Sequence, residues 1–140
     1  MLYFTNEAKF ELPDVGFVDR TVNVLDAKLD NGRTLGVLVA RSRLAEGTGL
    51  KEAVEAHQDQ ERKSLRGWTS LQSEWVEIDG LPAIEVAIQW RADEGMTYQR
   101  QLHVLAGDEV LLLVVNGTLE DRAASDATMD FVRSTFSLRR

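Results

Sequence analysis

The sequence predicts an α+β domain: a single antiparallel sheet with two main helices packed on one face. Three observations carry that expectation. Apolar runs are separated by Asn-Gly, Asp-Gly and Gly-Asp dipeptides, the chemistry of tight hairpin turns. Two other segments carry the i, i+3, i+4 apolar spacing of helices. Their order is strands, helix, four strands, helix, with no linker, internal repeat or low-complexity stretch between them. At 140 residues the chain fits one domain spanning 1–140.

Taken in order, Asp30-Asn31-Gly32 separates the runs Thr21–Leu25 and Thr34–Ala40 and predicts a hairpin. The first helix shows its stripe at Leu50, Ala53, Val54, His57, Glu61 and Leu65, with Thr48 as expected N-cap and Gly67 as the stop. Beyond it, Asp79-Gly80, Asp93-Glu94-Gly95 and Gly107-Asp108 separate the runs Trp68–Ile78, Pro82–Arg91, Met96–Leu105 and Glu109–Asn116, an antiparallel meander. The second helix starts after Thr118-Leu-Glu-Asp121, a variant of the capping box, and runs to about Phe136.

Composition excludes several chemistries. There is no cysteine, so disulfides, thiol nucleophiles and thiolate metal sites are out. Two histidines give no His-rich metal centre, and no cofactor is expected. A formal charge of −7, from 16 basic and 23 acidic residues, disfavours binding to nucleic acid or anionic lipid. The first residues lack a basic stretch followed by an apolar one, and Val110–Val115 is far too short to cross a bilayer, so a soluble, cytoplasmic protein is expected. The phosphate-binding loop, the dinucleotide fingerprint, Gly-x-Ser-x-Gly and His-Glu-x-x-His are all missing, so no enzyme is expected.

Alternation across the strands is more informative. Val110–Val115 is apolar on both faces, as is Leu35–Ala40, and a strand apolar on both sides wants both sides covered. Two helices on one face leave the other for a second subunit, a ligand, or loops of the chain itself. His57 and Glu61 interrupt the apolar stripe of the first helix, with Gln58 at its edge. Gln99 and Gln101 share a strand face, and Gln89 on the preceding strand is expected to align with them. Such amides read either as polar groups satisfied by neighbours or as readers inside an apolar groove, because an unpaired buried amide costs about 1–3 kcal/mol.

Leu12-Pro13-Asp14, Thr21-Val-Asn-Val-Leu25, Leu65-Arg-Gly-Trp68, Ile78-Asp-Gly80, Gln89-Trp90 and Arg100-Gln101 occur in an order and spacing that cover nearly the whole chain. In this the sequence resembles the Eag-type chaperones of type VI secretion, members of the DcrB-like family with a Mog1- and PsbP-like fold. The resemblance implies a cytoplasmic homodimer that binds N-terminal transmembrane helices of secreted effectors of the PAAR or Rhs kind and keeps them soluble until loading on the secretion spike. It places the family's groove-lining aliphatic pair on Val22 and Val24 and a groove glutamine on Gln101. A second groove glutamine, on the helix, falls on His57 or, with a register shift of one, on Gln58. Neither nucleic-acid binding nor membrane insertion is implied. Two rival readings are a small-molecule or lipid-binding module of the same fold, which predicts a monomer with an enclosed cavity, and a cytoplasmic immunity protein, which predicts a polar binding surface.

Overall fold

Asp79 and Gly80 both adopt positive φ, 50° and 76°, the backbone of a type I′ turn whose twist matches that of flanking strands. In the computed structural model, which describes residues 1–5 and 7–139, that turn joins β5 (Thr69–Ile78) to β6 (Leu81–Ala92). Short turns then lead to β7 (Gly95–Ala106) and β8 (Glu109–Thr118), so the predicted meander is present with boundaries moved by one or two residues. The Asn31-Gly32 turn joins β3 (Asn23–Lys28) to β4 (Thr34–Arg43). These strands form a six-stranded sheet in the order β3-β4-β8-β7-β6-β5, and every neighbouring pair is antiparallel.

The expectation of a single sheet is corrected by the first eleven residues. β1 (Leu2–Phe4) and β2 (Lys9–Glu11) pair in a separate two-stranded sheet. Strands of three residues are too short to show a period of two, so alternation gave no signal there. A cross-strand contact does hold them: Tyr3 lies opposite Phe10, with ring centroids 5.6 Å apart.

The helices correct a second expectation. α1 (Leu50–Ser64) follows β4, and α2 (Arg122–Thr135) follows β8 through a 3₁₀ turn at Leu119–Asp121. They lie on opposite faces of the sheet, not on one. α1 buries Leu50 and Val54 against Ile84, Val86, Ile88 and Val110. α2 buries Met129 in a cluster that contains Ala83, Leu102, Val104 and Val115. The residues contributed by β6 are even-numbered in the first set and odd-numbered in the second, which places the helices on opposite sides of the pleat. On the α2 side a Cβ at Gly117 would lie 3.2 Å from Ser125 Oγ and 3.3 Å from Leu35 Cδ1, so the missing side chain permits the close approach of helix and strand.

Cap chemistry differs between the helices. Gly49, not Thr48, occupies the N-cap of α1 and makes no side-chain cap bond, and the helix stops at Ser64, before Gly67, because Leu65 is extended. Thr118 does cap the second helical segment, where its hydroxyl accepts from Asp121 N–H at 3.3 Å.

Beneath α2 the sheet buries charge. Glu85 is 1 % exposed. It is ion-paired with Arg100 from β7 and Arg133 from α2, and Arg100 also donates to Asp126 at 2.9 Å. A buried guanidinium and a half-buried one set against a fully desolvated carboxylate are tolerable only while all are present. Glu85→Ala is therefore expected to cost about 3–5 kcal/mol in urea unfolding, against a change within about 0.5 kcal/mol for the exposed cross-strand neighbour Glu74→Ala.

Candidate functional site

Neither helix spans the width of the face it covers. On the α1 side, register places Val24, Leu38, Val114, Gln101 and Val86 in one row across five strands. The adjacent row runs Ala40, Leu112, His103, Ile84. α1 packs on β6 and β7. Leu38, Leu112 and Val114 belong to neither core cluster, and Val24 is 67 % exposed. From β3 to β7 is three strand spacings, about 14 Å. An α-helix with its side chains is about 10–12 Å across. The strip over β3, β4 and β8 is therefore one helix wide and apolar, and it grades from exposed Val24 through half-buried Leu38 and Leu112 to buried Val114.

Its boundary with α1 is a row of polar side chains. Gln101 Nε2 donates to Glu61 Oε2 at 2.8 Å and to Gln99 Oε1 at 2.7 Å. Gln99 Nε2 donates in turn to Asn116 Oδ1 at 3.2 Å on β8. His103 Nε2 lies 2.9 Å from Gln101 Oε1, an acceptor, so the ring proton sits on Nε2. His57 Nε2 is 3.5 Å from Glu61 Oε2, and the two imidazoles meet edge to face at 5.4 Å. A continuous chain of side chains thus runs from α1 to β8 along the wall of the strip.

The predicted site residues divide within this frame. Val24 lies on the strip, and Val22, half-exposed, just precedes β3 at its margin. His57, partly exposed, stands at the α1 wall. Gln58 points to the other flank of α1, where it lines a cavity of about 270 Å³ with Val54, Trp75 and Ile84. Its Nε2 is buried there without a hydrogen-bond partner. Of the two helix positions left open by the resemblance, the structure brings His57 to the Gln101 network and not Gln58. Gln101 itself is fully buried, and both ends of its amide are engaged. It is the hub of the network and offers no free hydrogen bond to a visitor. Gln99 and Asn116 are the amides at its more exposed end.

Gln89 does not align with these amides. It pairs with Tyr98, on the opposite face, because the β6–β7 turn sets Ile88 against Gln99. Sequence reasoning also passed over His103, although it continues the Gln99, Gln101 alternation by one more step. Leu38, Leu112 and Val114 were legible as apolar strand residues, but which of them would lack a covering helix was not.

Among the described residues no group of His, Asp and Glu side chains is arranged to hold a metal ion, and no helix is long and apolar enough to cross a membrane. A cavity of about 490 Å³ lies by the β6–β7 turn, between Arg33, Met96 and Glu120, away from the open strip.

An antiparallel sheet with a helix on each face makes this an α+β domain, and its structural neighbours give it a Mog1/PsbP-like fold. Within that class the chain belongs to the DcrB family, which it matches over residues 7–134. Solved structures with similar folds include PA94 of Pseudomonas aeruginosa, a protein of unknown function described as a putative regulator. It is 20 % identical with a TM-score of 0.83, over 100 % of this chain and 97 % of that one. LpqN of Mycobacterium tuberculosis, described as involved in cell envelope biogenesis, is 9 % identical with a TM-score of 0.63, over 83 % of each chain. The cyanobacterial PsbP of Synechocystis is 8 % identical with a TM-score of 0.60, over 93 % of this chain and 98 % of that one. At these identities the likeness is one of fold. No curated protein matches the sequence significantly.

Burial, with a smaller contribution from His57, pushes His103 down from 6.5 to about 4. Between those values the unfolded chain binds a proton that the folded one refuses, so stability falls as pH falls. The loss is expected to reach about 3 kcal/mol near pH 4, and urea midpoints measured from pH 7 to 4 should show it in the native chain and not in His103→Leu. Gln101→Leu removes the hydrogen-bond partner of His103 Nε2 and of Gln99 Oε1, and leaves Glu61 Oε2 with His57 at 3.5 Å. It is expected to destabilise the free protein by about 1–3 kcal/mol per stranded group, read as a shifted urea midpoint.

Proposed function

We propose that this protein is a chaperone for apolar helices: it shields N-terminal transmembrane segments of a type VI secretion effector, of the PAAR or Rhs kind, before loading on the secretion spike. One observation carries the reading, namely the apolar strip beside α1, one helix wide, that runs from exposed Val24 across half-buried Leu38 and Leu112 to Val114 and that neither helix covers. A spanning helix of about 20 residues is about 30 Å long. Each apolar side chain it buries contributes about 1.5–3 kcal/mol before association costs. The Gln99–Asn116 end of the polar row gives a helix backbone or a small hydroxyl somewhere to hydrogen-bond, which suits helices that carry small packing residues.

In this reading the chaperone is cytoplasmic and homodimeric, with two strips serving one client. It needs no catalysis, cofactor or nucleic acid, and it does not itself insert into a membrane. A charge of −7 keeps the loaded complex soluble and away from anionic lipid. Val22 and Val24 supply apolar contacts. Gln101 acts by holding Gln99, Glu61 and His103 in place, with His57 at the wall.

Co-expression with the first ~60 residues of a client effector, room for two spanning helices and their connection, tests this directly. The soluble complex should co-purify with the native chain and be lost with Val22→Asp or Val24→Asp, each of which would bury an unpaired carboxylate on binding. Both positions are more than half exposed, so the free variants should keep native circular dichroism. Undiminished complex formation by both variants would remove this surface from the reading.

A further inference from the structure

Among the described residues, all large apolar side chains that stand exposed fall in the first 25 positions, except Leu71, Trp75 and Phe131. Phe4 is 65 % exposed, Val15 74 % and Val18 75 %. The segment that holds most of them is ordered by its own contacts. Met1 N and O bond to Leu12 O and N, and Tyr3 OH lies within hydrogen-bond reach of Asp19 and Thr21. β1 and β2 pack chiefly on each other. A lone two-stranded hairpin is marginal in water, so this arm needs a surface to rest on.

We infer that the arm formed by the first 22 residues is a clasp that docks on a second copy of this chain. Three observations favour that occupant. First, aromatic and aliphatic side chains of this size expose on the order of 1,000 Å² together, beyond the roughly 300–600 Å² patch of a monomer and near the 800 Å² per partner of a stable interface. Second, the arm carries both halves of a self-complementary contact. It presents Phe4 and Val15 outward, and it holds an open cavity of about 390 Å³ lined by Tyr3, Leu12, Phe17 and Val18. That volume lies in the range that seats a small ligand, so it admits an aromatic side chain. A knob and a hole on one element satisfy a two-fold axis, where each copy gives what it receives.

Third, the arm runs directly into β3, the free edge of the six-stranded sheet, and Arg41 on β4 pins the junction through Thr21 O and Asn23 Oδ1. A clasp at this position sets the two open strips side by side, with Val22 and Val24 of both copies at the seam. The inference rests on the homodimer in the proposed function but not on its client. Because each copy carries −7, the contact works against charge repulsion and should tighten as salt rises.

Sedimentation velocity of the full chain over micromolar concentrations, at low and high salt, tests it. The native protein and Phe131→Asp, whose side chain is exposed on α2, should sediment as dimers. Phe4→Asp combined with Val15→Asp should weaken association by about 100-fold or more while circular dichroism stays native. A native protein that is monomeric throughout, or an arm variant that dimerises as tightly as the native chain, overturns the clasp. A dimer that depends on the arm but retains no apolar client segment upholds the clasp and sinks the chaperone reading. An arm variant that stays dimeric yet loses the client transfers the arm to the client site and ends this inference.

Discussion

Strands β6, β7 and β8 put apolar side chains on both faces of the pleat, and the chain has one long helix to spend on each face. That mismatch of area governs the molecule. α2 settles over β7 and β8 and closes a cluster around Met129, Leu102 and Val115. α1 settles over β6 and β7 on the other face and closes a cluster around Val54, Val86 and Ile88. A helix covers about two strand spacings. With six strands on each side, some apolar surface had to remain without a helix over it, and on the α1 side it is the β3–β4–β8 half, which adjoins the N-terminal arm.

The polar residues buried near each helix do different work. Under α2, Glu85, Arg100, Arg133 and Asp126 form ion pairs that tie helix to sheet. Tyr98 joins them by donating to Asp126 at 2.6 Å, and burial together with that bond raises its phenol to about 12. Beside α1 the network is built of amides and imidazoles, with Glu61 as its single carboxylate, and it runs along the margin of the open strip. The first network is sealed by charge and holds two elements together. The second is a mostly neutral seam whose outer amides meet whatever lies on the strip.

At the far end of β3, Asp121 receives Arg33 and Asn31 from the β3–β4 turn and the hydroxyl of Thr118. The Arg33 guanidinium, with Asn31 and Thr118, holds its carboxyl well below the usual carboxylate range. This clamp fastens an otherwise exposed edge strand to the start of α2. It explains how β3 keeps its register although all its side chains are open to solvent.

Much of this was legible in the residues alone. Turn dipeptides at Asn31-Gly32, Asp79-Gly80 and Gly107-Asp108 located the hairpins, because positive φ is a local demand met by few residue types. Helical and strand periods located the remaining elements, and the matched alternation of Gln99 and Gln101 put both amides on one face. Local chemistry could not say which face each helix would take, since a strand apolar on both sides suits either choice. Nor could it say that Gln89 would fall opposite Tyr98, that Gln58 would turn away from the strip while His57 turned toward it, or that Gln101 would be consumed by its own neighbours. Those outcomes depend on register between strands and on the axial rotation of α1, both set by packing between residues distant in sequence. The residue types of the site were therefore determined by the sequence, whereas its open and closed halves were decided by the tertiary structure, where two helices meet more apolar sheet than they can cover.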